Sequence, residues 1–180
     1  MQEEERKSLS FIYYAFSEVF SSKDYYYLNW LCERLSNSDY SKYALEVLES
    51  IANKRLQEEL EFLQEVSLLE RDYRIVDKDQ ILKSYEYFGF ALQEGYEPDH
   101  LGIELRFLAL ICLEEDQTKA YTNQYRFIHN RLGWLSSLED AFEGKGFIAM
   151  KRVLSFLRAF LRDHKAFLMK ELKIESKEES

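Results

Sequence analysis

The sequence predicts an all-α fold, a single-domain helical bundle wrapped around one central apolar helix. Three observations carry that expectation. Proline occurs once and glycine six times in 180 residues, so little interrupts the chain. Leu, Glu, Lys, Ala and Tyr are abundant whereas Val and Thr are scarce, which favours helix. No stretch alternates polar and apolar residues with the period of two that a strand requires.

The first helix is expected over Ser10 to Phe20, where Ile12, Ala15, Phe16, Val19 and Phe20 form a stripe at helical spacing. Ser21-Ser22-Lys23-Asp24 breaks it, and a second helix runs from about Tyr25 to Leu35 with Leu28, Leu31 and Leu35 inward. Ser36-Asn37-Ser38-Asp39 is the next turn. From Ser41 to about Tyr73 the apolar positions Leu45, Leu48, Ala52, Leu56, Leu60, Leu63 and Val66 recur every three or four residues. They predict one long helix, or two joined near Asn53. After a polar break at Ile75 to Asp79, Gln80 to Leu92 reads as helix again.

Gln93-Glu94-Gly95-Tyr96 makes a mid-chain hinge near residues 93–98. Leu101 to Glu114 follows, apolar on nearly every side, and a helix of that kind must be surrounded by others. Thr118 to Leu138 and Gly146 to Leu172 are the last two helices, separated by Glu139 to Lys145. The domain is expected to span residues 1–173, with a charged, frayed tail over 174–180.

Composition narrows the function classes. A net charge of −9 disfavours nucleic acid and anionic membranes as partners. The amino terminus has no apolar run of the signal-peptide kind, and no stretch is long and uncharged enough to span a bilayer. A cytoplasmic protein without stable membrane insertion is expected. Cys32 and Cys112 lie in apolar helical patterns and read as reduced core residues.

Candidate chemistry concentrates at Glu97-Pro98-Asp99-His100, just before the apolar helix. Pro98 suits a helix's first turn, where its missing N–H leaves no bond unmade. Asp99 is expected to cap that helix and to sit well at the positive end of its dipole. Glu97-x-x-His100 has the spacing of a helical metal-ligand pair, but no second copy exists to complete a site, so no metal and no cofactor is expected. Gly144-Lys145-Gly146 lacks the Walker pattern and its preceding strand, and reads as a turn. No nucleophile stands beside an activating base, so no catalytic residue is assigned. His164 falls on the Leu157, Leu161, Leu168 stripe and reads as a hydrogen-bonded, semi-buried side chain. Tyr25, Tyr26 and Tyr27 form either a binding patch or the edge of the core.

The Glu97-Pro98-Asp99-His100 run resembles the motif of the TorD/DmsD/NarJ-type chaperones that mature molybdenum redox enzymes. Gln124-x-x-Phe127-x-His129-x-x-Leu132-x-Trp134, the aromatic first helix and Phe147 to Phe160 are similar to further segments of that family. One departure stands out. Where the family carries a Leu-Phe-x-Gly-Pro segment and a proline-rich loop, Glu70 to Val76 here runs directly into Asp77-Lys78-Asp79-Gln80.

The resemblance implies a non-enzymatic chaperone. Such a protein binds the twin-arginine signal peptide, or the amino-terminal segment, of a molybdenum-containing oxidoreductase subunit and holds it while its cofactor is inserted, before export. Two guanidinium groups followed by an apolar segment call for fixed carboxylates beside an apolar groove. Glu97 and Asp99 are the candidate carboxylates, with Glu104 as a third. Tyr96, Leu101 and Phe88 are candidates for the groove, His100 for orienting the hinge or donating to the peptide, and Pro98 for the structural hinge. Asp99→Ala is expected to weaken peptide binding while sparing helicity. A monomer or a domain-swapped dimer is expected. The rival readings are a helical adaptor unrelated to export, indifferent to paired arginines, and a nucleotide-binding protein, for which no phosphate-cradling sequence exists.

Overall fold

The computed structural model describes residues 1–174, and within them nine α-helices and no named strand. The expected tail therefore lies, past Ile174, outside the described residues. In order the helices are α1 Glu3–Ser22, α2 Tyr26–Leu35, α3 Ser41–Ala52, α4 Arg55–Glu61, α5 Lys78–Tyr87, α6 Leu101–Ile111, α7 Gln117–Arg131, α8 Leu135–Gly144 and α9 Ile148–Glu171. Single 3₁₀ turns at Leu63–Glu65 and Glu70–Asp72 follow α4.

α1 begins at Glu3, seven residues before the expected start at Ser10. Gln2 and Glu5 form a reciprocal capping box, and Glu3, Glu4 and Glu5 sit in the first turn, where the dipole favours them. Those turns face solvent and carry no apolar signal. Of the two readings of residues 41–73, the break near Asn53 is the one realised: Lys54 turns left-handed at φ 64°, and the Asn53 carboxamide accepts the Arg55 N–H at 3.0 Å. The helix then stops at Glu61 rather than near Tyr73. α5 likewise ends at Tyr87, not Leu92, with Gly89 at φ 69° leading into an irregular segment.

The expected helix from Thr118 to Leu138 is two. Gly133 weakens the helix, and Trp134 turns inward, 3% exposed, stacking on Tyr73 with ring centroids 5.3 Å apart. α8 then occupies most of the expected linker. Gly144 ends α8 and Gly146, at φ 70°, turns the chain into α9.

Buried side chains from all nine helices merge into one cluster. α6 is central, as its composition requires: Leu101, Leu105 and Leu108 are wholly buried, and α1 and α7 pack along it. It is not the only hub. α9 receives α3, α4, α7 and α8, through Met150, Val153, Leu154 and Leu157. Its first turn is held in trans by buried Glu59 of α4, whose carboxylate accepts the Ala149 and Met150 N–H groups at 3.0 and 2.9 Å.

α1 and α6 meet closely where Gly102 faces Ser21. A Cβ on Gly102 would lie 2.9 Å from the Ser21 backbone nitrogen, so only glycine permits this approach. Glu18 and Arg106 bridge the same helices at 2.6 Å.

Cys32 and Cys112 are buried free thiols. Burial pushes the Cys32 thiol up to about 12 and Cys112 higher still. His164 is 7% exposed, between the Tyr13 hydroxyl at 2.6 Å and the Gln124 carboxamide oxygen at 3.0 Å. Nε2–H donates to that oxygen and Nδ1 accepts from Tyr13, an assignment fixed by the network. Tyr25 and Tyr27 pack against the core while Tyr26 stays 69% exposed. No described helix is long and apolar enough to cross a membrane.

Candidate functional site

The segment between α5 and α6 is pinned from behind by the chain after α4. The Leu101 N–H donates to the Leu68 carbonyl at 2.9 Å and the Glu70 N–H to the Asp99 carbonyl at 2.9 Å, forming an isolated antiparallel bridge at Leu69 and His100. From the core side, the buried Tyr85 hydroxyl donates to the Pro98 carbonyl at 2.6 Å. The end of the expected hinge is therefore fixed.

Pro98 stands outside α6, not in its first turn. The cap is His100, whose Nδ1 accepts the Gly102 N–H at 3.0 Å. His100 is then neutral at that nitrogen, and burial lowers its pKa against a smaller opposing pull from Asp99. Asp99 does not cap the helix as expected; it turns away, wholly buried, toward Arg71.

Arg71 is delivered by the 3₁₀ turn Glu70–Asp72, which follows α4. Its backbone N–H donates to Asp99 Oδ2 at 3.0 Å and its Nε to the same oxygen at 2.9 Å. Its Nη2 reaches both Asp99 Oδ1 and Glu97 Oε2 at 2.5 Å. Burial alone pushes the Asp99 carboxyl up, but the Arg71 hydrogen bonds outweigh it and hold the group below the ordinary carboxylate range. Glu97, by contrast, is about half exposed; it also meets Lys78 at 3.0 Å, and its pKa is lowered by Arg71 and then Lys78.

Behind this lies a buried polar layer. Glu70 pairs with Arg131 at 2.9 Å and Arg74 at 3.4 Å, and is wholly buried. Glu104, also wholly buried, is pushed well above the carboxylate range by burial and by the neighbouring Glu70 charge. Its protonated form is favoured there, and its Oε1 has no hydrogen-bond partner among the described residues. Trp134 Nε1 stands 3.5 Å from its other oxygen.

The structure thus brings Glu97 and Asp99 together on Arg71, while the neighbouring His100 caps α6. It leaves Tyr96 38% exposed, sets Phe88 half-buried against Phe107, and withdraws Leu101 and Glu104 into the core. In this conformation those two present no surface to a ligand. Arg71, Glu70 and Arg131 went unassigned in the sequence, and the one available signal was Arg71's place in the divergent stretch. No group of three or more candidate metal ligands occurs among the described residues.

Residues 64–140, under half of the chain, match the family model described as the nitrate reductase delta subunit. This segment holds the Arg71 turn, the Glu97 to His100 run, α6, α7 and the start of α8. Neither the curated proteins nor the solved structures compared with it yield a match.

Proposed function

We propose that this chain, which matches the nitrate reductase delta subunit family over residues 64–140, is like that family's members a molybdoenzyme assembly chaperone and not an enzyme, and that it binds the arginine-bearing amino-terminal segment of a molybdoenzyme subunit and holds it during cofactor insertion, before export. One observation carries the reading. Glu97 and Asp99 converge on a single guanidinium, that of Arg71, which supports reading the motif as an arginine receptor.

The Arg71 guanidinium takes the place that a client arginine would take. Asp99 fixes the geometry from within, and the exposed Glu97 is the carboxylate an incoming arginine meets first. Tyr96 and Phe88 offer apolar surface beside it, and Lys78 is displaced from Glu97 as the peptide arrives. Client subunit, cytoplasmic site of action and monomeric or domain-swapped state are parts of the same proposal.

The test is a titration of the full chain with a synthetic peptide carrying paired arginines before an apolar segment, and with its paired-glutamine counterpart. The arginine peptide is expected to bind more tightly, and Glu97→Gln to weaken it several-fold at unchanged melting temperature. Equal affinity for both peptides overturns the arginine reading in favour of a helical adaptor.

A further inference from the structure

A cleft of about 800 Å³ opens between α5 and α7 over the side of α6. Its floor is apolar: Ile81, Phe107, Ile111 and Phe127 are all under 9% exposed yet line it. Its rim is basic. Lys83 on one wall, and Lys119 and Arg126 on the other, are exposed and meet no carboxylate within ion-pair distance among the described residues.

No Asp or Glu lines the cleft, although the chain carries a net charge of −9. Tyr87, 75% exposed, stands at its lip as an uncovered aromatic. Walls of opposite helices, an apolar trough and unpaired cations above it match one ligand chemistry. We infer that this cleft is a docking groove for an acidic amphipathic helix of a partner protein, whose apolar face enters the trough and whose carboxylates meet Lys83, Lys119 and Arg126.

Phe88 lines this cleft too, but its basic rim is separate from Glu97, where the ligand is cationic, and the two have opposite charge requirements. A partner engaging both would present an acidic helix and an arginine-bearing segment, each held by its own site. The groove stands without the arginine reading.

Two labelled synthetic helices test it by fluorescence anisotropy on the full chain. Both carry Leu or Phe at i, i+3, i+4 and i+7; one has Glu and the other Lys elsewhere. The acidic helix is expected to bind, more weakly as salt rises, and the basic one not to. Lys83→Glu with Arg126→Glu should weaken the acidic helix at least about tenfold, since each reversal replaces an attraction with a repulsion. Both residues are exposed and unpaired, so melting temperature should hold, and Glu97→Gln should change nothing. Equal binding of both helices, no binding of the acidic one, indifference to the double reversal, or occupation of the cleft by a nucleotide or a second copy of the chain each overturns the inference. Loss of arginine-peptide binding by Glu97→Gln, with the acidic helix unaffected, separates the two sites.

Discussion

Arg71 closes over Asp99 with three donors, its backbone N–H at 3.0 Å, Nε at 2.9 Å and Nη2, leaving the carboxylate no contact with water. The residues lie 28 positions apart, so this pair ties the turn after α4 to the entry of α6.

Arg71→Ala strands a buried carboxylate and should cost about 3–5 kcal/mol at neutral pH. Asp99 has a depressed pKa in the folded protein, so its contribution is present above the ordinary value of 3.8 and lost as pH falls through the folded value. The deficit of Arg71→Ala should therefore be largest at pH 7 and shrink below pH 4 as Asp99 takes up a proton. Urea melts at both pH values check this. The same pairing alters what Asp99→Ala can report: it should lower stability, so Glu97 is the position that tests binding.

The buried acids behind the motif should respond unequally. Burial and the Glu70 charge favour the uncharged form of Glu104, so Glu104→Gln, which keeps its shape, should shift stability by less than about 1.5 kcal/mol. Glu70→Gln removes the buried charge that Arg131 and Arg74 pair with and should cost about 3–5 kcal/mol. Thermal melts of the two variants side by side measure the difference.

Gly102→Ala sets a methyl group against the Ser21 backbone and hydroxyl, forcing α1 from α6. A loss of about 1–3 kcal/mol is expected, the usual cost of overpacking. Adding Ser21→Gly should recover only part of it, because the backbone nitrogen remains in the way. Chemical denaturation of the single and double variants decides.

His164 adds an acid sensitivity separate from that of Asp99. Burial lowers its pKa from 6.5 to about 4, so the folded state keeps it neutral while the unfolded chain takes up a proton. Its contribution is full above pH 6.5 and falls as pH drops toward 4, by about 3 kcal/mol in all. His164→Gln should flatten stability across that window, read from melting temperature against pH.

The apolar register made the helices legible, and polar detail set their ends. The stripes of α1, α2, α6 and α9 stand in the sequence because one face of each meets the core. The capping box of Gln2 and Glu5, the break at Gly133 and the stop at Glu61 leave no periodic mark. At the site, Glu97, Asp99 and His100 were legible as a motif, but their roles depend on a residue far along the chain. No local pattern shows that Asp99 faces Arg71 rather than α6, or that Leu101 and Glu104 turn inward.

The fit of Gly102 against Ser21 also has a temporal side. Ser21 and Glu18 on α1 meet Gly102 and Arg106 on a helix made about 80 residues later, an interval of roughly 4–16 s at ordinary synthesis rates. Through that interval the emerging chain displays an aromatic stripe with its principal partner not yet made. A chain proposed to tend unfinished enzymes is, while its own second half is being translated, itself unfinished.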